Sequence, residues 1–324
     1  MGKRFLRTIV QDFTTLAAIG EIPLVDLGVN PLSFLVLTLR GEQPAAQVVN
    51  TFDWLNDFNA ALDNVRVVKM GENLLQGNLP DLMMVTAALT GYSPHGAHFS
   101  GAAAVRSMSY ILPFTRNLYW PEEGLPAQRR GVYQFGFNTL DISPGTLTTL
   151  QWQLEQVELI ESEPTRHLKI GTRTHSIVNT GRRRLTLPIG NEIMGIVLFD
   201  PETEISTTEL FFWDKVKVLK DNVEQYYAES AWQSLRADLA YRIQGAHLRF
   251  GHSHGHAAAD TETGQEQIRE NRAPFQYGYL DFDPLRDGQY SLETVGASDI
   301  ELDANSTTAT GVARYLPIEL VKVG

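Results

Sequence analysis

The sequence predicts an all-β protein with a few helices, organised as two similar β-sandwich domains in tandem, residues 1–161 and 162–324. Three observations point there. Runs of five to eight β-branched, Leu and aromatic residues recur between Gly, Pro, Asn and Asp clusters. Helical periodicity is confined to short stretches. A set of blocks occurs twice in the same order, with a period near half of the 324 residues.

The strand-like runs are Ser33–Leu39, Val132–Phe137, Leu150–Val157, Arg184–Leu187, Ile193–Phe199 and Val216–Val218. Pro144-Gly145 and Asp287-Gly288 read as turns. One helix is expected at 79–90, with Asn78 as N-cap, Pro80 in the first turn and Gly91 as the stop. A second is expected at 231–243, where Trp232, Leu235, Leu239 and Ile243 fall at helical spacing. A third candidate is Thr51–Leu62, with Phe52, Leu55, Phe58 and Leu62 on one face.

The repeat sets Glu21-Ile-Pro23 against Leu185–Pro188, and Asn30–Leu37 against Gly190–Leu198. Val65–Lys69 then matches Lys215–Val218, and the helix at 79–90 matches that at 231–243. Ser109–Phe114 matches Tyr277–Phe282, and each half closes on a long strand, Leu147–Leu159 and Val312–Val323. The join falls near Glu161–Pro164. Strands, one helix, then more strands, twice over, describe two sandwiches or jelly rolls; parallel α/β folds are disfavoured because strands and helices do not alternate.

Composition narrows the function. Hydrophobic residues make up 43% of the chain and charged residues 20%, so it folds around a real core. Lys and Arg number 27 against 38 Asp and Glu, a net charge of −11 that argues against direct nucleic-acid binding. The chain has no cysteine, which excludes disulfides, thiolate metal sites and a Cys nucleophile. No apolar run approaches the roughly 18 residues of a membrane span. The basic start, Met1–Arg7, lacks a following apolar core and reads as mature sequence, so a soluble product made in the cytosol is expected.

This arrangement resembles the double-jelly-roll major capsid proteins of tailless icosahedral viruses, the lineage of adenovirus hexon and of several membrane-containing viruses. The resemblance spans nearly the whole chain. Its best parts are Arg184–Leu198, the helix following Lys215–Lys220, and Tyr279–Asp287 with the closing Leu316–Val321. It implies a structural coat protein and not an enzyme, with no catalytic residues and no cofactor. It implies homotrimers with two upright barrels per chain, forming a pseudo-hexagonal tile in a capsid lattice. Penton, spike and minor capsid proteins are the other implied partners, with an internal viral membrane as a further one. The location implied is the virion, after synthesis in the host cytoplasm. Lys3, Arg4 and Arg7 then become candidates for inner-shell or membrane-facing contacts.

Two other function classes stay in view: a tandem β-sandwich receptor- or carbohydrate-binding spike or adhesin, and a metal-dependent jelly-roll enzyme. Gly251-His-Ser-His-Gly255 matches a nucleophile elbow, but no acid and later His follow in the order such a triad needs. His252, His254 and His256 alternate and would share one face of an extended segment, which makes them candidate metal ligands. The preferred reading is a Gly/Ala/His-rich surface loop with no resident metal. Arg129-Arg130 and Arg182–Arg184 read as solvated strand ends or salt-bridge partners, and His95 and His98 as loop residues. Trp152, Trp213 and Trp232 read as core or interface anchors, and Asn305-Ser-Thr307 as a chance glycosylation match.

Overall fold

The computed structural model describes residues 4–16, 19–42, 58, 61–92, 95–98, 105–140, 149–201, 211–242, 276–308 and 311–323. Of the candidate helix Thr51–Leu62, only Phe58, Ala61 and Leu62 are described; all three are buried, and Leu62 opens a strand and not a helical turn. The Pro144-Gly145 turn, Lys3 and the whole segment from Ile243 through the His252, His254 and His256 run lie outside the described residues.

Ten strands belong to the first half: β1 (Arg4–Thr15), β2 (Gly20–Glu21), β3 (Val25–Asp26), β4 (Leu32–Glu42), β5 (Leu62–Lys69), β6 (Glu72–Gly77), β7 (His95–His98), β8 (Val105–Pro113), β9 (Tyr133–Thr139) and β10 (Thr149–Ile160). Eleven follow: β11 (Arg166–Gly171), β12 (Arg173–Ile177), β13 (Gly181–Thr186), β14 (Glu192–Phe199), β15 (Trp213–Lys220), β16 (Val223–Glu224), β17 (Ser230–Ala231), β18 (Tyr277–Asp281), β19 (Leu292–Glu293), β20 (Ile300–Ser306) and β21 (Gly311–Lys322). The helices described end to end are α1 (Leu79–Thr90) and α2 (Trp232–Arg242).

The ladders repeat. The first half has β1-β10-β4-β8-β7 in one sheet and β6-β5-β9 with β2 and β3 in the other. The second half has β11 and β12 beside β21, then β14 and β18, facing β13-β20-β15 with β16 and β17. Strand for strand, β4 corresponds to β14, β5 to β15, β8 to β18, β9 to β20 and β10 to β21. Four of the strand blocks matched in the sequence land on these pairs, and the Glu21–Pro23 and Leu185–Pro188 block falls at the ends of β2 and β13. The hairpins leading to β6 and β16 turn alike, through Met70-Gly71 (φ 49° and 91°) and Asp221-Asn222 (φ 52° and 63°). Two successive positive φ values mark the tight turn whose twist suits a hairpin.

The two units are not separate sandwiches. β11 pairs in parallel with β6, Ile170 opposite Leu75 and Gly171 opposite Gln76, so one eleven-stranded sheet runs through both halves. Thr172 N–H donates to the Gln76 carbonyl at 3.0 Å and Gly124 N–H to the Arg166 carbonyl at 2.8 Å across the same seam.

Packing explains two sequence patterns. In β14, Ile193, Ile196 and Leu198 join the second core, while Met194, Val197 and Phe199 join the first. A strand buried on both faces has no polar face, so it reads as an uninterrupted apolar run. Helix α1 is likewise buried nearly all round, because the first half covers one side and β14, β18 and β21 cover the other. Its N-cap differs from expectation. Asn78 has the extended backbone of a cap, but its side chain makes no capping bond. Gly91 closes the helix in the left-handed conformation (φ 72°), its N–H donating to Ala87 O at 2.9 Å. α2 buries only Trp232, Leu235 and Leu239 and leaves its far side open.

His95 and His98 also differ from expectation: they lie on β7, paired with β8, and not in a loop. Gly, Ala and His have little strand preference of their own; the ladder imposes it.

Candidate assembly surface and the joint between the halves

The joint is held by two buried polar clusters. Asp81 sits on α1, fully buried. Tyr277 Oη on β18 donates to its Oδ1 at 2.6 Å; Arg314 on β21 donates from Nη2 to Oδ1 at 3.0 Å and from Nε to Oδ2 at 3.1 Å. The Arg314 guanidinium also lies 3.5 Å over the Phe199 ring. Burial pushes the Tyr277 hydroxyl well above its ordinary value, and the Asp81 charge adds to this, so the phenol stays a donor. Burial works against the Arg314 charge, but Asp81 outweighs it and raises the pKa. Arg286 Nη2 adds a bond to the Ala88 carbonyl at 2.8 Å near the end of the same helix.

The second cluster centres on Arg116, in the loop after β8. It meets Glu123 of its own half at 2.5 Å and Asp283 of the other half at 2.6 Å, all three buried. Asp283 Oδ1 accepts from Gly288 N–H at 2.8 Å, which fixes the turn at Asp287-Gly288. Burial opposes the Arg116 charge; the bonds and charges of Glu123, then Asp283, win and raise its pKa.

His167 stands on β11 beside the seam. Burial, then the charge of Lys69, lowers its pKa to about 4. The unfolded chain binds this proton near the ordinary value of 6.5. The imidazole therefore contributes full stability above that value, and loses it as pH falls toward 4. The urea midpoint should drop between pH 7 and pH 4, by an amount corresponding to at most about 2–3 kcal/mol from this group. His167→Leu should flatten that drop; an unchanged slope would show that other groups carry it.

The outer face of β1-β10-β4-β8 is different. Phe34, Val36 and Val157 form a small cluster there with Ile111 and Leu118. Phe5 and Tyr119 stack over one end, ring centroids 5.0 Å apart, and both are exposed. Beside them lies a groove of about 580 Å³ that reaches Ser109, Leu89 and Arg7.

Arg4 and Arg7 lie on β1; Arg4 is 3.6 Å from Glu161, and Arg7 bonds Glu155. The Arg182–Arg184 cluster is paired within the chain: Arg182 with Glu229 at 2.5 Å and Asp303 at 3.3 Å, Arg184 with Glu301 at 2.9 Å. Arg130 lies 3.9 Å from Asp26. Trp152, Trp213 and Trp232 are all buried in the cores, as read from the sequence. Asn305 lies on β20, with Nδ2 donating to Asp214 at 3.3 Å. No helix among the described residues is long and apolar enough to cross a membrane. Among the described residues no group of three or more His, Asp or Glu is placed to hold a metal. The sequence did not single out Arg116, Glu123, Asp81 or Arg314.

The chain matches no family model and no curated protein sequence. Solved structures do match. The major capsid protein of Sulfolobus turreted icosahedral virus superposes with TM-score 0.69 at 11% identity, covering 98% of this chain and 97% of that one. The major capsid protein P2 of bacteriophage PM2 gives TM-score 0.62 at 12% identity, covering 100% and 98%. The fold is a double jelly roll. Coverage close to complete on both sides means that both rolls and the joint between them are shared, not one roll alone. In this double jelly roll, β4 and β14 are the central strands of corresponding sheets, and α1 is packed into the joint between the rolls.

Proposed function

We propose that this chain is a structural major capsid protein that tiles an icosahedral virus shell. The full-length match of the double jelly roll to two viral major capsid proteins carries this reading. The rolls divide at residues 161 and 162, between the ladder of β1–β10 and that of β11–β21. Three copies form a trimer of six similar rolls, a pseudo-hexagonal tile, and trimers pack into the lattice. Closed symmetry limits aggregation while one surface is reused. The chain acts in the virion after synthesis in the host cytoplasm, and its role is not enzymatic. Penton, spike and minor capsid proteins fill the positions that a trimer cannot.

Lys3, Arg4 and Arg7 are the candidates for contact with the inner side of the shell or with a membrane beneath it. Arg7 is less available than Arg4, because Glu155 holds it on the sheet. A resident metal at His252, His254 and His256 is not part of this role, and neither is direct nucleic-acid contact.

Native mass spectrometry of the purified chain tests the reading. A trimer should dominate at moderate salt. Each chain carries a net charge of −11, so trimers repel one another and shell formation should require salt or divalent cations. A monomer that persists at high concentration, with no lattice by electron microscopy, would overturn the proposal.

A further inference from the structure

A cavity of about 220 Å³ lies on the seam between the halves. Its walls include Asn73 and Gln76 of β6, Lys169 and Gly171 of β11, Arg173 of β12 and Glu319 of β21. Strand register builds it. β11 and β12 keep one register along β21, with Ile170 opposite Ile318 and Arg173 opposite Tyr315. Residues 169, 171 and 173 therefore share one face. Glu319, directly opposite Lys169, shares that face as well, and Gly171 stands opposite Gln76. Between two long cationic side chains Gly171 contributes none. A Cβ placed there would meet no neighbouring group within 4 Å, so the floor of the cavity is open.

The two ends of the cavity carry opposite charges that the chain leaves unpaired. Glu319 is only 7% exposed. Asn191 Nδ2 donates to its Oε2 at 2.7 Å, and among the described residues Oε1 has no hydrogen-bond partner. Lys169, the cation opposite, reaches to Glu72 at 2.6 Å instead, and Glu319 forms no ion pair among the described residues. A buried carboxylate without a cation is costly, and a cation from solution relieves that cost. At the other end Arg173 is exposed and likewise forms no ion pair among the described residues. The strand positions facing Arg173 and Glu319 are about 13 Å apart at the usual rise per residue. The long Arg173 side chain shortens that gap where it turns toward the cavity.

We propose that this cavity binds a small extended zwitterion, its ammonium on Glu319, its carboxylate on Arg173 and its carbon chain over Gly171. Lys169 and Glu72 satisfy each other, so the cavity offers one open charge of each sign. A simple amine would leave Arg173 unmatched, and a simple carboxylate would leave Glu319 unmatched. The volume equals that of about seven water molecules at ~30 Å³ each, which admits a free ω-amino acid and not a protein loop. The ligand would touch strands of both halves and clip them together at the seam, adding stability by mass action. Such a site is independent of the coat-subunit role.

Isothermal titration calorimetry of the full chain at low salt, with 6-aminohexanoate as the probe, tests the site. One saturable site per chain is expected, together with a rise in the thermal midpoint. Hexylamine and hexanoate, each carrying one of the two charges, should bind about tenfold more weakly or worse, the loss of one charged hydrogen-bonding group. Glu319→Gln and Arg173→Gln should each weaken 6-aminohexanoate by the same factor. Gly171→Val keeps both charges and suits a strand, but fills the space. It should abolish binding while leaving the unliganded midpoint close to that of the parent. No saturable binding by the parent, or equal binding by the parent and Gly171→Val, would overturn the site. Equal affinity for hexylamine, hexanoate and 6-aminohexanoate would overturn the zwitterion.

Discussion

Replacing Arg116 with alanine is expected to cost about 3–5 kcal/mol of folding stability, the range for breaking a buried ion pair by removing one partner. The cause is what stays behind. Glu123 and Asp283 are buried carboxylates that share Arg116 as their ion-pair partner. Without it, two negative charges are left uncompensated in a buried site, and the residue-116 N–H that still donates to Glu123 cannot replace the lost cation. The cost should therefore depend on charge and much less on volume. Arg116→Met, which keeps most of the bulk, should lose nearly as much as Arg116→Ala. Adding Glu123→Gln and Asp283→Asn to Arg116→Met should recover a large part of the loss, because it removes the uncompensated charges. Urea unfolding followed by tryptophan fluorescence measures all four proteins. Equal midpoints for the single and triple variants would mean that packing, not charge, sets the cost.

How far such a cluster can be read from sequence depends on whether its signal is local. The strands are local: β10 alternates over Thr149–Glu155, while β4 from Leu32 to Leu37 and β14 from Ile193 onward are buried without a polar face. The duplication was legible for the same reason, since each half repeats the same order of local patterns. The parallel β6–β11 seam was not, because a two-residue contact between segments about a hundred positions apart leaves no periodicity behind. Arg116 sits in a polar loop, where an arginine is unremarkable on the page, and its partner Asp283 is 167 residues away. Asp81 is the exception. It is the lone charge in a helix otherwise made of Leu, Met, Val, Ala, Thr and Pro, and an acid in such surroundings needs a buried partner. That sign was present in the sequence; the identity of the partner, Arg314, was not. The groove was invisible for a further reason: small residues such as Ser109 look like ordinary strand polar positions until the corresponding Tyr277 shows what fills that place in the other half.

Asp81→Ala should separate the two rolls energetically. Asp81 is the acceptor for both Arg314 and Tyr277, so its loss strands a partly buried guanidinium and a buried phenol at once. A loss of about 3–5 kcal/mol is expected, again from the penalty of an unpaired buried charge. Here the missing group lies between the rolls and not within one. The penalty falls on the docked state alone, because once the rolls part, Arg314 and Tyr277 regain water. The parent chain, with a continuous sheet and a shared core, should unfold in one calorimetric transition. In Asp81→Ala the second roll should come away first, giving a lower and broader or split transition. Asp81→Asn discriminates the terms: it retains an acceptor for Tyr277 but loses the charge that Arg314 needs, so it should fall between the two. If Asp81→Ala unfolds in a single transition within about 1 kcal/mol of the parent, the joint is held by its apolar contacts. The Asp81 cluster then sets the register of the two rolls without stabilising their contact.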